Sequence, residues 1–341
     1  MRIWEGYQHG INFGGWFSQQ EHSDRHYQIF ISESDFATVA SWGLDHVRIP
    51  VDFELVESEG GIRKEEGFSW IERCLKWCEK YHLHMILDLH KTPGYSFDDQ
   101  SNAGEFFKNL ALQARFMSLW QEFARRFGKY HKILAFELLN EVVDSSIAEQ
   151  WNKIAANTVA AIRSIAPEIP ILIGGIHHNG ADGVPLLDPP ADDHIVYNFH
   201  CFEPIVFTHQ TAFWAKGMRQ DFHIAYPDSL DTYRKCSAAF NKEYTDPLVK
   251  EGVTDVEASL FEANFAAAIS CAEKYNVPLY CGEYGVIHQA DIESTLRWFQ
   301  VISSVFERHH IGRAVWTYKK MDFGLTDSHM LPILRQIIPL L

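Results

Sequence analysis

The 341-residue sequence predicts a (β/α)8 TIM barrel: one domain over residues 1–341, with a small helical insertion after the sixth strand. Three observations predict it. Eight short apolar runs are spread along the chain, helical stretches with one apolar face separate them, and polar or ionisable residues cluster where the runs end. Near-continuous apolar strands are buried on both faces, the situation of a parallel sheet covered by helices. An open doubly wound sheet is the alternative; a count of eight favours closure, at roughly 250 residues plus insertions.

The first run, residues 10–13, ends at Gly14-Gly15, which lets the backbone turn tightly and lacks the spaced glycines of a nucleotide loop. Ser32-x-x-Asp35 then reads as a capping box opening a helix before the second run, 46–49. Ser69-x-x-Glu72, with Ile71, Leu75 and Cys78 on one face, predicts the helix before the third run, 85–89. The fourth run, 134–139, is followed by Ser146-x-x-Glu149 and an apolar face of Ile147, Trp151, Ile154, Ala155, Val159 and Ile162. The fifth and sixth runs are 171–174 and 195–199, and the seventh, 279–281, comes only after an unusually long interval. The excess places an insertion at about 203–257, rich in aromatic residues (Trp214, Phe222, Tyr226, Tyr233, Phe240, Tyr244). Ser259-x-x-Glu262 opens the next helix, and 314–316 is the eighth run.

Composition narrows the function. Acidic residues outnumber basic ones by 45 to 30, a net charge of −15 with no Lys/Arg cluster, so nucleic acid is not an expected partner. No apolar run approaches the length of a membrane span, and the first residues carry no secretory signal, which predicts a protein of the cytoplasm with no membrane partner. Six scattered cysteines match neither a zinc ribbon nor a disulfide scaffold and are expected as reduced thiols. Aromatic residues make up 14%, more than the core requires, so some are expected to line a binding surface. Oligomeric state leaves no trace in the sequence.

In a barrel of this type the chemistry sits at the C-terminal ends of the strands. Arg48 ends the second strand, Asp88 and His90 the third, Asn140 and Glu141 the fourth, Asn198 and His200 the sixth, Glu283 the seventh, Trp316 and Lys319 the eighth. Two carboxylates facing across a cleft are the minimum machinery of glycoside hydrolysis, one delivering a proton to the departing oxygen and the other attacking or stabilising the anomeric carbon. Arg48 would keep the second ionised. Strand-end glutamates also serve as plain salt-bridge partners, a reading that weakens when two occur in this company. His82-x-His84 has metal-pair spacing but precedes a strand, at the wrong end of the barrel; His177 and His178, after the fifth run, are placed to meet substrate, and Trp16 is either core or a sugar platform.

The strings Gly10-Ile-Asn-Phe-Gly-Gly-Trp16, His46-Val-Arg-Ile-Pro50, Leu87-Asp-Leu-His90, Phe136-Glu-Leu-Leu-Asn-Glu141, Tyr197-Asn-Phe-His200, Tyr280-Cys-Gly-Glu-Tyr-Gly285 and Val315-Trp-Thr-Tyr-Lys-Lys-Met-Asp-Phe323 resemble glycoside hydrolase family 5, the cellulase family A. In particular they resemble the compact single-domain clostridial endoglucanase C type, in order over nearly the whole chain. The resemblance implies a retaining double displacement without metal or organic cofactor, with Glu141 as acid/base and Glu283 as nucleophile, about 5 to 5.5 Å apart. It further implies that Arg48 supports the nucleophile, that His90, Asn140 and His200 surround the reacting sugar, that Trp316 is its stacking platform, and that Trp214 on the insertion touches sugar. Trp16, His178 and Lys319 complete the expected contacts. One position departs from the pattern: where family members carry His-x-Tyr, this chain has His200-Cys201-Phe202, and orienting the nucleophile is left to Arg48 or to another group, Tyr318 or a water. The expected substrate is a β-linked oligo- or polysaccharide, cut by an endo-β-1,4-glucanase or mixed-linkage β-glucanase. An exo-acting β-glucosidase or β-mannosidase on imported oligosaccharides, a non-catalytic glycan-binding barrel and a metal-dependent barrel hydrolase are the alternatives.

Overall fold

A computed structural model describes residues 1–98, 104–241 and 246–341. Tyr244, counted above among the aromatic residues of the insertion, lies outside the described residues. All eight apolar runs are strands: β1 (His9–Asn12), β2 (His46–Asp52), β3 (His84–Lys91), β4 (Leu134–Glu137), β5 (Ile171–Gly174), β6 (Ile195–Cys201), β7 (Leu279–Tyr284) and β8 (Gly312–Val315). Each pairs in parallel with the next, and β1 closes on β8 through His9↔Arg313, Gly10↔Ala314 and Ile11↔Val315, which rules out the open sheet. Gly10 is required where β1 passes β2, since a Cβ there would stand 2.2 Å from the His46 ring.

Two apolar layers form. Side chains facing out of the barrel pack under the helices in the main core, while Tyr7, Ile86, Ala135, Leu172, Val196, Tyr280 and Ala314 fill the barrel itself, with Trp4 packed against them. The covering helices are Glu33–Ser41, Glu65–Tyr81, Leu110–Phe127, Ala148–Arg163, Ala258–Tyr275 and Ile292–His309. Between β5 and β6 the connection is a 3-10 turn, Ala181–Leu186, with Pro185 inside it, and the Ala258–Tyr275 helix packs on that turn. Short helices Ile205–Thr208, Leu230–Phe240 and Asp246–Val249 lie between β6 and that long helix.

One of the four expected capping boxes forms. Ser32 is the N-cap and its backbone N–H donates to Asp35 at 2.7 Å. Ser69 instead lies inside the Glu65–Tyr81 helix, its hydroxyl donating to the Glu65 carbonyl at 2.9 Å. At the third position Asp144 accepts from the Ser146 N–H at 2.8 Å, and at the fourth Asp255 accepts from the N–H groups of Glu257 and Ser259, so an aspartate does the capping in both. The Ser-x-x-Glu pattern is ambiguous because serine inside a helix is satisfied equally by the carbonyl four residues back.

Candidate active site

The mouth at the C-terminal ends of the strands is organised around one buried cation. Arg48 has no exposed surface, and its guanidinium reaches three carboxylates. Nε and Nη2 donate to Glu137 at 2.7 and 2.8 Å, Nη2 stands 2.9 Å from Asp88, and Nη1 donates to Glu283 at 2.6 Å. The side-chain oxygens of Asn12 and Asn140 accept from the same guanidinium at 2.9 and 3.0 Å. Burial alone would ease the proton off; Asp88, Glu137 and Glu283 together more than reverse this and keep Arg48 charged.

Glu137 is the member the sequence reading missed. Burial pushes its carboxyl up against the pull of Arg48, yet both its oxygens face donors, Arg48 on each and Asn198 Nδ2 at 2.8 Å on one, the pattern of an ionised carboxylate. A lone glutamate in a strand of leucines and phenylalanines requires a buried cation, and Arg48 was available as that partner.

A register shift positions the opposite wall. Between Phe199 and His200 the β6–β7 pairing slips, so that Phe199 faces Cys281 while His200 faces Glu283. Bulges of this kind re-aim side chains beside a site. Here the shift brings His200 Nδ1 to 3.8 Å from Glu283 and 2.8 Å from Glu141. Glu141 itself sits beyond the end of β4 with φ of 35°, a left-handed conformation costly for a residue with a side chain. The Tyr95 hydroxyl braces that turn, donating to the Glu141 carbonyl and accepting from the Val143 N–H. One ligand-competent atom from each of Glu141, His200 and Glu283 lies within 4.8 Å of the other two. Burial raises the Glu141 carboxyl, but the neighbouring His178 and His200 rings outweigh it and hold the group well below the usual carboxylate range.

Arg48, His90, Asn140, Glu141, His200, Glu283 and Trp316 therefore meet at one mouth, with His178 Nδ1 3.7 Å from Glu141. The His90 ring donates or shares a proton with Asp88 at 2.6 Å and lies parallel to Trp316, centroids 5.9 Å apart. Burial lowers His90, and Asp88 more than compensates, so it is raised. Asn140 Nδ2, His90 Nε2 and His200 Nε2 are buried with no protein partner among the described residues. Three polar atoms without a protein partner in one concavity are available to hydrogen-bond a polar ligand or water. Beside His90 a cavity of about 340 Å³ continues between Gln19, His22, Asp52, Lys91 and Asp98.

Three expectations are corrected. Trp16 has no exposed surface: it stacks on Phe17 and donates to the Tyr27 carbonyl at 2.9 Å, so it is core and offers no platform. Lys319 turns toward Asp35, 3.9 Å away, and lies 5.0 Å over the Phe30 ring rather than facing the carboxylates. Tyr318 packs against Phe13 and Trp42 and interacts with Asp35, so it does not replace the phenol absent at Phe202. Arg48 at 2.6 Å and His200 at 3.8 Å are the groups holding Glu283. Trp214 is half exposed on the insertion and donates to Asp322, beyond β8, at 3.2 Å. His177 pairs with Asp182 at 3.1 Å.

The family model described as cellulase (glycosyl hydrolase family 5) matches residues 7–322. Cellodextrinase A of Ruminococcus flavefaciens is 42% identical over 89% of this chain and 83% of its own length. Endoglucanase C of Acetivibrio thermocellus is 38% identical over 97% of each chain. Among solved structures, an endoglucanase of Thermotoga maritima superposes with a TM-score of 0.76 at 23% identity, covering 98% of this chain and 97% of the other, a likeness of fold.

Proposed function

This chain belongs to the cellulase family, glycosyl hydrolase family 5, and is a glycoside hydrolase; we propose that it cleaves β-1,4-linked or mixed-linkage glucan by a retaining double displacement. The observation that carries the mechanism is the closeness of Glu141 and Glu283, whose oxygens approach within 4.8 Å, near the separation of about 5 to 5.5 Å at which one carboxylate attacks the sugar directly, and short of the 6.5 Å or more that admits a water. Glu283, charged and oriented by Arg48, is the nucleophile. Glu141 delivers the proton to the departing oxygen and then takes one from water. His200 Nδ1 lies 2.8 Å from Glu141 and 3.8 Å from Glu283, so the imidazole stands between the two carboxyls along the path of that proton. His90, Asn140 and His200 offer their unpaired atoms to the hydroxyls of the reacting ring, and Trp316 supplies its floor.

The substrate class rests on the relatives, one an endoglucanase and one a cellodextrinase. The second name favours short oligosaccharides as the alternative to long polymer. Hydrolysis of aryl β-cellobioside, cellotetraose, mannotetraose and mixed-linkage glucan, with Glu283→Ala beside the wild type, tests the proposal. Internal cleavage of glucans, abolished in the variant, is expected; turnover by Glu283→Ala at the wild-type rate contradicts the assignment, and release of single sugars moves the protein to the exo class.

A further inference from the structure

Within reach of the Glu141 charge stands a histidine that neither motif nor strand-end position singles out. His209 follows the Ile205–Thr208 helix, and its part-buried ring is enclosed by three aromatic rings, Phe202, Trp214 and Phe323, at 5.2, 5.1 and 5.3 Å between centroids. The hydrogen-bond chain fixes its tautomer. The Thr208 hydroxyl spends its single proton on the Phe202 carbonyl, so toward His209 Nδ1, 2.9 Å away, its oxygen can only accept. Nδ1 therefore carries the ring's proton and Nε2 presents a bare lone pair, with no protein donor on it among the described residues.

We propose that His209 is a specificity residue for the leaving-group sugar, its Nε2 accepting a hydrogen bond from a hydroxyl of the unit that departs on the Glu141 side. The proposal rests on Glu141 being the proton donor, because that assignment makes its side of the cleft the leaving-group side. A neutral imidazole with Nδ1 tied down selects for a donor, and sugar hydroxyls are the donors a glucan brings. Burial in the aromatic cage pushes His209 down to about 4, against the opposing pull of the Glu141 charge, so the ring stays neutral near pH 7. Phe202, 5.2 Å from the His209 ring, carries no hydroxyl that could donate to it, and Trp214, near-perpendicular to His209 and anchored through Asp322, extends the contact with a half-exposed ring.

The test compares two substrates in the intact enzyme: cellotetraose, whose leaving group carries hydroxyls, and 2,4-dinitrophenyl β-cellobioside, whose leaving group carries none. In His209→Ala, kcat/KM on cellotetraose is expected to fall about three- to tenfold, the effect of one hydrogen bond, while the aryl substrate changes less than twofold. His209→Asn, which keeps an acceptor, recovers part of the loss. Thr208→Val, which removes the hydroxyl that ties Nδ1, shifts the ratio in the same direction with His209 still present. Equal losses on both substrates, or no loss on either in folded variants of unchanged Tm, overturn the proposal. A wild type inert toward both substrates overturns the glycosidase mechanism on which it rests.

Discussion

The barrel holds two buried polar clusters, one at its floor and one at its mouth, and they are finished differently. At the floor, His46 is fully buried between Asp45, 2.6 Å from Nδ1, and the Tyr280 hydroxyl, 2.7 Å from Nε2. Asp45 also accepts from the N–H groups of Gln8 and His9. Each member is satisfied, and only the neighbouring Tyr7 hydroxyl goes without a partner among the described residues. The mouth contains a stronger network, one guanidinium among three carboxylates, yet Asp88 Oδ1, His90 Nε2, Asn140 Nδ2 and His200 Nε2 have no partner among the described residues. A structural cluster closes its hydrogen bonds within the protein. A binding cluster pays desolvation in advance and recovers it when the ligand arrives.

Breaking the two clusters should give different losses. The largest stability effect is expected from Arg48→Met, which strands Asp88, Glu137 and Glu283 together. Removing one partner of a buried ion pair costs about 3–5 kcal/mol, and chemical denaturation of the variant should show at least that, with activity lost as well. A wild-type midpoint in Arg48→Met would mean that the carboxylates are not held by this residue.

Next comes Glu203, a buried carboxyl after β6 that belongs to neither cluster. Burial pushes it up to about 7 from its ordinary value, with Lys250 pulling the other way. The folded protein therefore binds the extra proton, and stability is lost as pH rises from the ordinary glutamate range to about 7. At roughly 1.4 kcal/mol per pH unit the loss is about 3 kcal/mol. Glu203→Gln should be more stable than wild type at pH 8 and equal to it near pH 4; a difference that does not change between those values contradicts the account.

The smallest effect separates the clusters most cleanly. Tyr280→Phe removes the donor to His46 and should cost about 1–3 kcal/mol with kcat/KM unchanged. His90→Ala at the mouth should leave Tm within a few degrees and lower kcat/KM by 10²-fold or more, on the scale of lost transition-state contacts. Parallel melting and kinetic curves for the pair decide whether the floor is structural and the mouth functional.

The floor and the mouth also differ in how far the sequence reveals them. Strands were legible because burial on both faces leaves apolar runs, and Glu141 and Glu283 because two carboxylates at the ends of such runs, in the company of Arg48, His90 and Asn140, are hard to account for as salt-bridge partners alone. Glu137 was not, since it lies within a run, where only its pairing with Arg48 across two strands explains it. Trp16 misled because a tryptophan after a Gly-Gly turn fits a core as well as a sugar platform, and only the packing of Phe17, Trp70 and Trp77 around it decides. The β6–β7 register shift that sets His200 against Glu283 has no local signature, and neither does the Thr208–His209 hydrogen bond that fixes a tautomer.

The central claim, double displacement by Glu283 with Glu141 as acid/base, is tested most directly by the anomeric configuration of the first product. Proton NMR of cellotetraose hydrolysis, recorded before mutarotation, should show the newly formed reducing end as the β-anomer. Initial release of the α-anomer would mean that a water attacks from the opposite face, and the assignment of Glu283 as nucleophile would fall.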